Sequence, residues 1–180
     1  MTASGFALFD TAIGKCGIAW GERGVAGVQL PEAGEVESRA RMLHRFPAAG
    51  ETVPPPKVQR LIDRIVALLR GEASDLSSVV LYMDGVPELQ RRVYEAARTI
   101  PPGKTLSYGD NARRVGAPRA ARAVGQALGR NPFPIVVPCH RVLAAGGKIG
   151  GFSAQGGVAT KQRMLAIEGA RLNGNNNPAG

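Results

Sequence analysis

Cys139 and His140 stand side by side in the stretch IVVPCHRV, in a chain that holds two cysteines and two histidines. A thiolate is a strong nucleophile, and a free cysteine, with a pKa of about 8.5, ionises more readily beside positive charge or a helix N-terminus. In extended chain, neighbouring side chains point to opposite faces, so adjacency alone does not make a direct thiol–imidazole dyad. His140 could instead take the thiol proton through one bridging water or across a bent backbone. A metal centre needs more ligands than this pair, and Cys16 and His44 lie in unrelated contexts, so no metal is expected. A Cys16–Cys139 disulfide would require an oxidising compartment that nothing else in the chain indicates.

Glu168 offers the third group. It falls at the end of the helical stretch GGVATKQRMLAIEG, one residue before Gly169, where the helix dipole disfavours an anion. A surface Glu there costs only about a few tenths of a kcal/mol, so chance placement explains it as well as function does. With His140 as its partner, Glu168 would complete a Cys–His–Glu relay in which the base is oriented by a third group.

These side chains need a scaffold. GFALFD, CGIAWG and VAGVQL read as three short strands of a small antiparallel sheet separated by glycines. Residues 31–57 are polar and proline-bearing, and VPPPK at their end stops any helix. VQRLIDRIVALLRG spaces Val58, Leu61, Ile62, Ile65, Leu68 and Leu69 at helical intervals, with Gly71 as the terminating glycine. SSVVLYM reads as a further strand, and a boundary is expected near Gly85 and Pro87. The expected architecture is an α/β N-terminal domain over 1–86 with a small antiparallel sheet, then a mainly α domain over 87–170. Residues 171–180, RLNGNNNPAG, are expected to be a disordered tail.

The second domain opens with a helix from about Pro87 to Thr99. SYGDNARRVG then sets Ser107 and Asp110 in capping-box spacing ahead of a short helix. GAP turns the chain into a helix from about Arg119 to Leu128, with Pro118 at the first helical position. Two short helices joined by a tight glycine-containing turn suggest a helix-turn-helix. On the second, Arg119, Arg122, Gln126 and Arg130 share one face and Ala121, Val124 and Leu128 the other. Ala120, Ala121 and Ala123 surround Arg122 with no bulk, so the backbone there can approach a groove closely. A solvated amphipathic helix has the same pattern. NPFPIVVP reads as a strand-like run delivering Cys139 at its end, and RVLAAGGKIG as a hairpin on Gly146–Gly147.

With 44% hydrophobic and 21% charged residues the chain has an ordinary globular composition. It has no apolar run long enough to span a bilayer, and MTASGFALFD lacks the pattern of a signal peptide. Together with the unpaired cysteines this points to the cytoplasm. The net charge of +9 is uneven: residues 1–87 carry nine Lys and Arg against ten Asp and Glu, residues 88–180 fourteen against four. A basic half beside a neutral half is the footprint of a nucleic-acid surface, although a solvated basic face would look alike.

NPFPIVVPCHRV, with SYGDNARRVGAPRAARAVGQALGRNP before it and GGVATKQRMLAIEG after it, resembles the methylated-DNA–protein-cysteine methyltransferases, the 6-O-alkylguanine-DNA alkyltransferases. The likeness covers about residues 86–170, and the earlier residues resemble the family's N-terminal domain only in element pattern. It implies that Cys139 accepts an alkyl group, activated by His140 and Glu168 through water. It implies that Tyr108 contacts the DNA backbone and protonates the leaving guanine, and that Arg122 fills the space left by a flipped base. Asn131 would be the hinge between the recognition helix and the acceptor turn, with Val142 and Ser153 lining the guanine pocket. Arg119, Ala120 and Ala121 would lie on the minor-groove face. The implied partner is double-stranded DNA bearing alkylated guanine, met by a monomer, with no cofactor. Two features depart from the family pattern: SAQGG is two residues longer than the shortest family form, and Asn111 replaces an apolar residue. A lesion-binding protein without transfer activity would keep Tyr108 and Arg122 but replace the cysteine. A helix-turn-helix regulator would explain the charge and leave PCHRV without a role.

Overall fold

The computed structural model describes residues 3–170; the expected tail at 171–180 lies outside them. The chain divides into two compact units. Of the described residues, one comprises 3–85 with 132–136, the other 86–131 with 137–170.

In the first unit β1 (Gly5–Thr11), β2 (Gly14–Gly21) and β3 (Gly24–Gln29) form an antiparallel meander. Ile18 and Val28, directly paired, are wholly buried on one face and Phe6, paired with Ala19, on the other, so both faces of the sheet are covered. The sheet is mixed, however, because β4 (Gly50–Glu51) pairs with β1 in parallel and completes the order β3-β2-β1-β4.

The region 31–57 contains a helix that its composition hides, α1 (Glu35–Arg45). Only Ser38 and Met42 of it are buried, too narrow a stripe for a periodic signal. Met42 packs where Gly17 leaves room; a Cβ on Gly17 would lie 2.7 Å from the Met42 sulfur. The acidic first turn and basic last turn of α1 suit the helix dipole. Helix α2 (Pro56–Leu69) buries all six of the expected apolar residues. It ends in a Schellman motif, with Gly71 N–H donating to Leu68 O and Glu72 N–H to Ala67 O. SSVVLYM is not a strand; only Leu81 bridges to Val25. Residues 132–136 are joined to this unit by Val28 N–H donating to the Pro132 carbonyl at 3.0 Å.

The second unit holds α3 (Glu88–Arg98), β5 (Leu106–Ser107), α4 (Tyr108–Arg114) and α5 (Ala121–Gly129), then β6 (Val142–Leu143) and α6 (Val158–Ile167). Val93, Tyr94 and Ala97 bury the inner face of α3, and the Tyr94 hydroxyl donates to the Ala127 carbonyl of α5 at 2.7 Å. Helix α5 starts two residues later than expected: Pro118 and Arg119 sit in the preceding turn, and Ala120 is the cap. Val124, Ala127 and Leu128 are its buried face, while Ala121 is half-buried.

Candidate active site

The strand-like reading of NPFPIVVP fails. Pro132, Pro134 and Pro138 cannot donate to a sheet ladder, and Ile135 adopts φ +75°, a left-handed conformation rare for a β-branched residue. Cys139 therefore opens a one-turn 3-10 helix, Cys139–Arg141, instead of ending a strand. That bend removes the opposite-face objection to neighbouring side chains. Asn131 spans the excursion of residues 132–136, its Nδ2 donating to the Val137 carbonyl at 2.9 Å. Its side chain also hydrogen-bonds the Cys139 sulfur.

Cys139 keeps 8% of its surface exposed. Burial raises its pKa, opposed by the Asn131 amide, the Lys161 ammonium and the backbone N–H groups of Cys139 and His140. The net shift is upward, contrary to a thiol acidified by its surroundings. At neutral pH such a thiol keeps its proton, so ionisation requires a base.

A candidate base, His140, is held in a fixed orientation. His140 Nε2 lies 2.8 Å from Glu168 Oε1, with both side chains buried. Burial opposes ionisation of Glu168, but hydrogen bonds from His140 and Arg141 hold its pKa at about 2. An ionised carboxylate only accepts, so Nε2 carries the hydrogen and Nδ1 presents its lone pair. Nδ1 has no protein partner. Burial is also the main reason the His140 pKa is lowered, with Arg141 and Lys161 assisting and Glu168 opposing. His140 is thus a neutral imidazole able to receive a proton.

Glu168 is held by α6. It is the C-cap residue, and behind it Gly169 N–H donates to Ala166 O and Ala170 N–H to Leu165 O, a complete Schellman motif. Its unfavourable position on the helix dipole is offset by Arg141, whose Nε and Nη2 grip the two carboxylate oxygens at 2.9 and 2.7 Å. Arg141 Nη1 donates to the Ile100 carbonyl at 2.7 Å.

Tyr108 is the first residue of α4. The capping box predicted there is formed: Asp110 N–H donates to Ser107 Oγ at 2.9 Å, and Ser107 N–H to Asp110 Oδ2 at 3.2 Å. Strand β6 follows the Cys139–Arg141 turn and pairs in parallel with β5, setting Val142 against Leu106. The chain folds back over Gly146 and Gly147 as expected, both at positive φ, with Ala144 N–H donating to Lys148 O, but β6 takes its strand partner from β5 and not from the residues after the turn. Burial, then the Cys139 charge, raises the Tyr108 pKa, so the phenol keeps its proton. Gly150, at φ +72°, lies so close that a Cβ would be 3.0 Å from Tyr108 Oη.

The remaining expected residues occupy two settings. Val142 is fully buried, while Ser153 is exposed and donates to the Gly129 carbonyl at 2.9 Å. Arg122 and Gln126 are exposed on α5, but Arg119 belongs to the turn before it and Ala120 to the cap, both off the helical stripe. Asn111 is buried with Nδ2 3.5 Å from the Val93 carbonyl and Oδ1 unpaired. The sequence reading passed over Arg141 and Lys161. Lys161 had a signal, because it shares the buried face of α6 with Met164 and Leu165 at helical spacing.

The site thus sets a buried thiol next in sequence to a neutral imidazole oriented by Glu168, with a protonated phenol at the start of α4, an arrangement of the kind a cysteine nucleophile would use. Residues 88–170 match the model of the 6-O-methylguanine DNA methyltransferase DNA-binding domain. A methylated-DNA–protein-cysteine methyltransferase of Methanothermobacter thermautotrophicus is 40% identical over 158 residues, covering 88% of this chain and 81% of its own. That of Mycobacterium bovis is 41% identical over 150 residues, covering 82% and 88%. Among solved structures, Mycobacterium tuberculosis OGT in complex with DNA superposes with a TM-score of 0.71 at 34% identity, covering 91% of this chain and 92% of that one. The O6-methylguanine-DNA methyltransferase of Pyrococcus kodakaraensis gives 0.70 at 27% identity, covering 92% and 99%. The chain belongs to the methylated-DNA–protein-cysteine methyltransferase family.

Proposed function

We propose that this protein repairs 6-O-alkylguanine in double-stranded DNA by moving the alkyl group onto its own Cys139, once per molecule. The observation that carries this reading is the neutral His140 imidazole, fixed by Glu168 next to a thiol that cannot ionise unaided. Residues 87–170, apart from the 132–136 excursion that belongs to the first unit, form the DNA-binding and acceptor domain, and residues 1–86 an α/β domain. Helices α4 and α5 serve as a helix-turn-helix, α5 entering the minor groove with the small residues at its start, the cap residue Ala120 and Ala121. Arg119 and Arg122 meet the DNA, and Arg122 fills the gap left when the damaged base is flipped out, offsetting an unstacking cost of about a few kcal/mol. Val142 and Ser153 line the pocket that receives the base, and Asn131 holds the turn that presents the sulfur.

In the reaction, His140 takes the thiol proton through water. The sulfur attacks the alkyl carbon; the new S–C bond forms as the C–O6 bond breaks. Tyr108 gives its proton to the departing guanine, and the proton gained at His140 restores the phenol through solvent. The thioether product is not reversed by cellular reductants, so the protein does not turn over, and no cofactor takes part. Such a protein works where DNA and reduced thiols coexist, in the cytoplasm. Among the described residues no helix is long and apolar enough to cross a membrane.

Intact-mass spectrometry after incubation with DNA containing 6-O-methylguanine tests this. A gain of one methyl group mapped to Cys139, absent in Cys139→Ser, is the expected result. Folded wild-type protein with no mass gain would refute the transfer.

A further inference from the structure

Arg45, the last residue of α1, directs its guanidinium to main-chain carbonyls. Nη1 donates to Val28 O of β3 at 3.0 Å and Nη2 to Pro132 O at 3.3 Å. Its Cζ stands 4.9 Å from the centroid of the Phe46 ring. Gly27 makes the room, since a Cβ there would lie 2.8 Å from Arg45 Nη2 and 2.5 Å from Phe46 Cζ. A planar guanidinium fork suits this setting because it addresses two acceptors at once. Burial lowers the Arg45 pKa to about 10, with Arg41 assisting, so the group is charged at neutral pH.

Pro132 is where the chain leaves the second unit; residues 132–136 belong to the first, and Val137 to the second again. The excursion is strained at Ile135, with φ +75°, and such conformations persist only where the surroundings over-determine them. Here Phe133, Ile135 and Val136 are buried, and the Pro132 carbonyl accepts from Val28 N–H at 3.0 Å as well as from Arg45. From that carbonyl a line of hydrogen bonds runs to the nucleophile. The preceding residue, Asn131, donates from Nδ2 to Val137 O at 2.9 Å. The same Val137 carbonyl accepts Cys139 N–H at 2.8 Å, around Pro138 at φ −80° and ψ 66°, an inverse γ-turn.

We propose that Arg45 is a positioning residue for the acceptor cysteine. By gripping the Pro132 carbonyl it fixes the strained 132–136 excursion and, through Asn131 and Val137, the backbone of Cys139. This gives the first unit a part in the transfer through the chain it holds. The proposal rests on the alkyl-transfer reading. An arginine that only finished α1 and covered the edge of β3 would change the stability of the first unit and leave Cys139 as it was.

The test compares wild type, Arg45→Met and Arg45→Lys. Amide hydrogen exchange at Cys139 is measured against that at Leu165, in the buried face of α6. Arg45→Met should quicken exchange at Cys139 about tenfold, the low end for losing a hydrogen bond to a charged group, and leave Leu165 unchanged. Arg45→Lys keeps the charge but not the fork, and should fall between wild type and Arg45→Met. Methyl transfer is then followed by mass at saturating methylated duplex. Arg45→Met should transfer about tenfold more slowly with duplex affinity within about twofold of wild type, because a misplaced nucleophile slows the chemical step and not binding. Wild-type exchange at Cys139 or a wild-type transfer rate in Arg45→Met overturns the proposal, as does quickening shared equally with Leu165. If Arg45→Met does not fold, Arg45→Lys decides, and wild-type exchange and transfer in that variant overturn it. Wild-type protein that gains no methyl from DNA removes the transfer reading; exchange at Cys139 then still decides whether Arg45 fixes its backbone.

Discussion

Glu168 accepts hydrogen bonds from two cationic or potentially cationic side chains, and its ionisation ties the site to the stability of the fold. Its pKa of about 2 in the folded protein compares with 4.5 in the unfolded chain. The unfolded state therefore binds its proton first as pH falls, and the stability Glu168 contributes is complete above 4.5 and lost toward 2. His140 adds in the same direction: its folded pKa lies below 6.5, so unfolding below that pH also takes up a proton. Acid destabilisation should begin below about pH 6.5 and steepen below about 4.5. Glu168→Gln leaves the Arg141 guanidinium buried without its counter-ion and should cost about 3 kcal/mol at neutral pH. It should also flatten the pH dependence below 4.5, since the carboxyl that gives rise to it is gone. Urea titrations at neutral pH and near pH 4 check this, and a variant retaining the wild-type pH dependence would contradict it. The His140–Glu168 contact was legible because each residue was anomalous where it stood: a His beside a Cys in a chain with few of either, and an anion at a helix C-terminus. Arg141 was not, because its task depends on a bend that the apolar run did not announce.

Helix α4 carries Tyr108 at its first turn, where backbone N–H groups have no helical partner and a side-chain cap counts most. Ser107→Ala removes the acceptor for Asp110 N–H and should cost about 1 kcal/mol. Because Tyr108 is the next residue, the same change should slow methyl transfer while leaving reaction of Cys139 with iodoacetamide unchanged. An unchanged urea midpoint would mean that β5–β6 pairing alone sets the start of α4. Features governed by neighbouring residues could be read from the sequence: this capping box, the glycine ends of α2 and α6, and the six-residue apolar stripe of α2. Features decided by distant partners could not. Helix α1 depends on Met42 finding the space above Gly17, and β4 is a two-residue strand that exists only by pairing with β1. The run at 132–137 is as apolar as a strand, but its prolines and the left-handed Ile135 make it a bend, and burial alone does not distinguish the two.

Across the whole molecule, charge is segregated by sequence: residues 1–87 sum to −1 and residues 88–180 to +10. Arginines that touch DNA phosphates release counterions, whereas one that inserts into the stack acts on the extruded base. The two roles separate experimentally. If about four phosphates are neutralised, duplex affinity should fall by about a hundredfold between 50 and 200 mM salt. Arg119→Ala, in the exposed turn before α5, should lower the slope of log K against log salt by about one and weaken binding to damaged and undamaged duplex alike. Arg122→Ala should change that slope less, yet slow repair in duplex much more than reaction with a free alkylated base, which needs no extrusion. Filter binding across a salt series and single-turnover transfer with the two substrates measure both effects. Equal slowing on duplex and free base would place Arg122 among the phosphate contacts or the scaffold, and the proposed flipping role would then have no side chain to perform it.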